Sequence, residues 1–212
     1  WELHHLLYKL AQGKIDPTDL ATYLEKDINY PLRAFRMYFT SNHDENSWNA
    51  TITERYRENW KAIAVMVYTL PQSLPLMYTG EEAGLARRLK FFEKDPIKYT
   101  EWNDTSRYSF YRSLIQLHHT QPALKNNQAG SKFEEFNLLE ENTGLVYAYK
   151  RTLGKSEVIV MINLAQETAH FNIEGLKIEL NKYQSIASSA IDEFRFNEQI
   201  EMPPYSFLIL HK

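Results

Sequence analysis

Two short apolar runs, AFRMYFTS (34–41) and SLPLMYTG (73–80), flank a single helical pattern. Strand, helix, strand in that order is the signature of a parallel βα unit. This constrains the chain more than any other feature. Two parallel strands can neither close a barrel nor cover both their own edges, so this region is expected to be part of a larger α/β body. In the first run Phe35, Met37 and Phe39 fall on one face, and Arg36, Tyr38 and Thr40 on the other. In the second run Pro75 is awkward, because proline cannot donate in mid-sheet, and Gly80 marks a stop.

Helical periodicity fills the space around these strands. Leu3, Leu6, Leu7 and Leu10 share one helix face, and Gly13 ends it. Asp16 and Pro17 read as N-cap and first position of a second helix, continued by Leu20, Ala21, Leu24 and Ile28. Thr51 and Glu54 have capping-box spacing, and Tyr56, Trp60, Ile63, Ala64 and Val67 extend a long amphipathic helix to Leu70. Tyr111, Leu114, Ile115 and His118 mark another, stopped by Pro122. The roughly 25-residue loop between Gly80 and that helix is long enough to suggest a function.

Near residue 130 helical periodicity stops. GLVYAYK, EVIVMINL, TAHFNI, FRFNEQI and YSFLILH are short β-rich runs broken by turn residues, as in an antiparallel β-sandwich. The expected organisation is therefore α/β over 1–128 and all-β over 129–212. An apolar share of 43% and an aromatic share of 14% fit a folded protein rather than a disordered one. A net charge of -3 gives no electrostatic footprint for nucleic acid. No apolar run approaches the ~18 residues of a membrane span. Without cysteine, disulfides and thiolate metal sites are excluded. The sequence opens on a helical pattern with no initiator methionine, so a cut inside a longer protein is expected, and no compartment follows.

The chemistry-bearing stretch is FTSNHDENSW (39–48). In parallel α/β folds, ligands meet the chain beyond the carboxyl ends of the strands, where His43 and Asp44 are expected. A carboxylate can accept from two neighbouring hydroxyls while a histidine adds a donor, which suits a vicinal diol on a sugar. Trp48 offers an apolar face to a ring, or anchors the loop. Spacing alone favours a plain loop with a turn aspartate and a solvated histidine. Glu81 and Glu82 are expected to cap a turn and pair with Arg87, Arg88 or Lys90. The doublets His4-His5 and His118-His119 diverge on a helix, so no metal site is expected. Tyr108, Phe110 and Tyr111 are expected to pack, and Trp102 to pin the long loop.

Taken in order, FTSNHDENSW, a long helix, LPLMYTGEEAGL (74–85) and FYRSLIQLHHTQPAL (110–124) resemble the α-amylase family, glycoside hydrolase family 13. The Asn-His-Asp resembles the end of the family's seventh barrel strand. Pro75, Tyr78, Gly80, Glu81 and Glu82 resemble its eighth, and EVIVMINL its C-terminal domain. The resemblance implies a partial TIM (β/α)8 barrel, strands 7 and 8 with their helices, followed by an antiparallel β-sandwich. It implies a retaining mechanism with two carboxyl groups about 5–5.5 Å apart. It casts Asp44 as a third, transition-state-stabilising carboxylate, with His43 donating to the same hydroxyls and Asn42 ordering the turn. The Gly-x-Arg-x-Asp nucleophile block and the acid/base glutamate are absent, so an isolated chain is expected to be inactive. The inserted domain that often carries calcium is also absent. No cofactor is therefore expected in this chain, and calcium would belong to the missing part. Expected partners are an α-glucan or maltooligosaccharide, and either the missing N-terminal part of the barrel or another copy. A non-catalytic carbohydrate-binding or structural module is the alternative.

Overall fold

A computed structural model describes residues 1–26, 30–31, 34–126, 131–139, 145–173, 178–188, 194–196 and 199–212. Ile28 and the expected boundary at 128/129 lie outside the described residues. The first part is α/β, and the rest is rich in antiparallel sheet.

Helix α1 (Glu2–Ala11) buries Leu3, His4, Leu7 and Leu10. Helix α2 (Pro17–Glu25) starts at Asp16, whose carboxylate accepts from the Thr18 backbone N–H at 2.8 Å. Strand β1 (Arg36–Phe39) pairs in parallel with β2 (Ser73–Leu76), setting Met37 opposite Leu74 and Tyr38 opposite Pro75. Among the described residues β2 has only this neighbour, and Pro75 keeps its place in the register opposite Tyr38. Past β2, Gly80 adopts φ +87°, and a Cβ there would stand 2.8 Å from Leu85 Cβ. Only glycine fits that turn.

The expected single helix from Thr51 to Leu70 is broken in two. The capping box at Thr51 and Glu54 forms, but α3 (Ile52–Tyr56) ends at Arg57, whose φ is 49°. A short 3-10 turn leads into α4 (Trp60–Thr69). Helix α4 is not amphipathic, because every residue from Ala62 to Thr69 is buried. It is wedged between the parallel pair, α5 (Thr105–Thr120) and the five-stranded sheet described next, so no side of its second half meets water.

That sheet runs β3 (Lys132–Glu135), β5 (Val146–Leu153), β6 (Ser156–Asn163), β11 (Ser206–His211), β8 (Gln184–Ala187), antiparallel throughout. One face, with Tyr149, Val158, Val160, Ile162, Phe207 and Ile209, shares a core with α4 and α5. The other, with Ala148, Ile159, Met161, Leu208 and Leu210, packs on Phe171 and Met202 of a four-stranded sheet. This second sheet is β4 (Leu138–Leu139), β7 (Ala169–Ile173), β10 (Ile200–Met202), β9 (Arg195–Phe196). Burial on both faces is why EVIVMIN and SFLIL read as continuous apolar runs rather than alternating ones.

The same contrast governs the parallel pair, with the sides reversed. Tyr38 and Thr40 are buried, whereas Phe35, Met37 and Leu74 are 54%, 57% and 52% exposed. The more apolar face of β1 is bare, and only Phe39 at its end is covered, by the rings of Trp1 and His4.

Candidate functional site

At the carboxyl end of β1 the chain passes through buried Thr40, Ser41 and Asn42 and emerges at His43 and Asp44. The Asn42 side-chain oxygen accepts from the Glu45 backbone N–H at 2.9 Å, and its carbonyl accepts from Asn46 N at 2.9 Å. Asn42 therefore orders the turn. A π-helical segment, Glu45–Asn49, follows, with the Ala50 N–H donating to the Glu45 carbonyl. Such single π turns often sit at functional sites.

Two residues that sequence reasoning passed over hold this turn. Glu45 is buried, in an ion pair with Arg55, and His4 Nε2 lies 3.2 Å from its carboxylate. His4 Nδ1 is 3.3 Å from the Tyr56 hydroxyl. Burial, reinforced by the Arg55 charge, lowers the His4 pKa to about 4, against the pull of Glu45, so the ring is neutral at pH 7. Asn46 reaches the other way: its side-chain oxygen accepts from Leu89 N at 2.7 Å, and its amide donates to the Arg87 carbonyl at 3.3 Å.

Anchored from behind, His43 and Asp44 face solvent. His43 Nε2 is 3.6 Å from Asp44 Oδ1, and the side chains are 66% and 41% exposed. Trp48 is exposed as well, with its ring centroid 5.2 Å from Phe91 and 6.2 Å from Phe92. Phe91 also lies 5.6 Å from the His43 ring. The structure thus brings His43, Asp44 and Trp48 to one surface and adds two phenylalanines. Two adjacent aromatics among charges in a long loop, LKFFEKDP, were the available signal for these.

Glu81 and Glu82 do not pair with the expected cations. Glu81 turns inward beneath the end of β1 and accepts from Thr40 Oγ1 at 2.9 Å. Burial pushes its carboxyl up to about 8, so it carries a proton at pH 7. Glu82 accepts from the Tyr99 hydroxyl at 3.0 Å. Arg87 clasps Asp95 through two bonds of 2.7 and 2.8 Å, and Arg88 reaches Glu54 at 3.4 Å. Phe110 and Tyr111 are buried as expected, Tyr108 is exposed, and Trp102 is half-buried. The histidine doublets split: His4 is held as described, and His118 Nδ1 lies 2.8 Å from the Tyr68 carbonyl. Among the described residues no group of three or more His, Cys, Asp or Glu could hold a metal ion, and no helix is long and apolar enough to cross a membrane.

No protein-family model and no curated protein matches the sequence. Solved structures do match the fold. A debranching enzyme from Nostoc punctiforme, soaked with acarbose, superposes with a TM-score of 0.65 at 20% identity, covering 94% of this chain and 39% of that one. An α-amylase from H. orenii gives 0.66 at 18% identity, covering 100% and 48%. A cyclomaltodextrinase gives 0.69 at 16% identity, covering 98% and 35%. At such identities the likeness defines the fold: an α/β part followed by antiparallel sheets, as in one portion of these glycosidases. The chain spans less than half the length of each of the three.

Proposed function

We propose that the chain is the C-terminal part of an α-amylase-like retaining glycoside hydrolase acting on α-1,4-glucans or related oligosaccharides. In this reading the parallel pair is the seventh and eighth βα units of its barrel, and the two antiparallel sheets are its C-terminal β-sandwich. The observation that carries the reading is the exposed His43–Asp44 pair, 3.6 Å apart, just past the carboxyl end of a parallel strand. The bare face of Phe35, Met37 and Leu74 supports it too, since a barrel interior would cover those side chains.

Asp44 is the transition-state stabiliser. As an acceptor-only carboxylate it takes hydrogen bonds from two neighbouring hydroxyls of one sugar ring. When the ring distorts toward an oxocarbenium ion those bonds strengthen, so they favour the transition state over the bound ground state. His43 donates to the same hydroxyls, and Trp48 lies against the substrate beside them. The nucleophile and acid/base belong to the missing part of the barrel. The chain alone should then bind a maltooligosaccharide weakly and release no reducing sugar from starch, and Asp44→Asn should abolish binding. Turnover by the chain alone, lost in Asp44→Asn, contradicts the placement of the nucleophile elsewhere. Binding untouched by Asp44→Asn contradicts the role of Asp44 and favours a non-catalytic module.

A further inference from the structure

A cavity of about 550 Å³ lies where the end of α1, the break between α3 and α4, and the turn between β10 and β11 meet. None of residues 39–48 lines it. Asn59 joins its walls: the side-chain amide donates to the Ala11 carbonyl at 3.1 Å and to the Leu164 carbonyl at 3.2 Å, tying α1 to the chain just past β6. The cavity is therefore preformed, at a junction between two parts of the fold, where small-molecule sites concentrate. Two of its lining residues have unusual backbone. Arg57 has φ 49° with ψ -128°, and Tyr205 has φ 51°. Among the described residues only one other non-glycine residue, Gln72, has a positive φ. Glycine would make both turns without strain, and strain kept in its place collects where a particular side chain is required. The side chains gathered there are polar. Lys14 and Arg57 are exposed, and neither has a side-chain hydrogen bond or ion pair among the described residues. Arg55 is already committed to Glu45. Glu58 lines the cavity beside Arg57, and Thr53 and Tyr205 bring hydroxyls.

We propose that this cavity binds a sugar monophosphate. Arg57 and Lys14 take the phosphate, whose oxygens suit a guanidinium fork and a point-charge ammonium together. The volume argues against a bare anion, because it falls among pockets that enclose organic ligands. The rest of the lining argues for a polyol. The Glu58 carboxylate only accepts, so it takes hydrogen bonds from hydroxyls and repels a second anionic group, while Thr53 and Tyr205 can donate as well as accept. One anionic end and one hydroxylated end are what this arrangement selects. The site is separate from the His43–Asp44 turn and stands without the function argued above.

Calorimetry of the full chain with glucose 6-phosphate and with inorganic phosphate tests this. The wild type should bind glucose 6-phosphate at a single site, about tenfold more tightly than inorganic phosphate. Arg57→Gly should weaken that binding about tenfold while the fold is kept, since glycine suits the backbone there. Lys14→Gln, a change at an exposed side chain, should weaken it in the same direction. Glucose 6-phosphate affinity should be the same in Asp44→Asn. A wild type that does not bind glucose 6-phosphate overturns the proposal. So does an affinity untouched by both Arg57→Gly and Lys14→Gln. Inorganic phosphate binding as tightly as the sugar phosphate reduces the cavity to a charged patch and overturns the sugar site. Binding lost in Asp44→Asn places the ligand at the other turn and overturns it too.

Discussion

Thr40 Oγ1 donates to Glu81 Oε1 at 2.9 Å, beneath the turn that presents Asp44. The bond ties the end of β1 to the turn after β2 through a carboxyl that is protonated at neutral pH, raised by burial to about 8 from an ordinary 4.5. Tyr56, Tyr68 and Tyr111, from α3, α4 and α5, interact with it, as does Glu82 beside it, and none supplies a positive charge. Between pH 4.5 and about 8 the unfolded chain has lost a proton that the folded chain keeps, so stability falls as pH rises. His4 acts with the opposite sign. Its pKa is lowered from 6.5 to about 4, so as pH falls through that window the unfolded chain takes up a proton that the fold refuses. The two slopes oppose each other from 4.5 to 6.5, and only that of Glu81 remains above. Urea unfolding should therefore give lower stability at pH 8 than at pH 6, and Glu81→Gln should remove that decline. A decline that survives in Glu81→Gln contradicts the assignment.

Helix α4 and the five-stranded sheet are joined at Thr69. Its hydroxyl donates to the Val65 carbonyl at 2.7 Å, which leaves the Tyr149 hydroxyl as donor in the 2.6 Å contact between them. Arg151 Nη1 donates to the Thr69 carbonyl at 3.1 Å, placing a cation at the helix C-terminus. Tyr149→Phe should cost about 1 kcal/mol, and Arg151→Ala about 2 to 3 kcal/mol, because the latter also strands a buried carbonyl and opens a cavity. Denaturant midpoints read both, and a neutral Arg151→Ala contradicts the capping role.

Bare strands seek partners. Among the described residues β1 and β2 pair only with each other, and Met37 and Leu74 sit opposite one another on their uncovered face. The isolated chain should associate with rising concentration in sedimentation experiments, and Met37→Lys/Leu74→Lys should shift it toward monomer. A wild type that stays monomeric and well dispersed contradicts an uncovered apolar face that seeks a partner.

The Arg87–Asp95 clasp should govern protease access to the loop it closes. The Arg87 guanidinium holds the Asp95 carboxyl down to about 2, so the pair persists through mild acid. Trypsin should cleave after Arg88, Lys90 and Lys94 several-fold faster in Arg87→Ala than in the wild type. Equal rates would mean that the loop keeps its shape without the clasp.

Much of the fold was legible because burial leaves periodic marks. The α1 stripe of Leu3, Leu7 and Leu10, the Asp16 cap, the Thr51–Glu54 box and the doubly buried strands all announce themselves in composition and spacing. Other features leave no such mark. Arg57 breaks a helix by taking a positive φ that nothing in its side chain signals. Met37 and Leu74 read as core residues although they are exposed, because periodicity reports which residues share a face and not what covers it. Glu81 pairs with Thr40, 41 residues away, rather than with nearby cations, and its burial depends on helices that no local window includes. At the site, His43, Asp44 and Trp48 stood within six residues and were found together. Phe91 and Phe92 join them from more than 40 residues away, through a loop that the Asn46 and Arg87 bonds help to hold.

The most direct test is a crystal of this chain soaked with maltotriose. The account predicts one glucosyl ring with two adjacent hydroxyls within hydrogen-bonding distance of Asp44 and His43. Sugar bound instead on the antiparallel sheets of residues 131–212, with the His43–Asp44 surface empty, would contradict it.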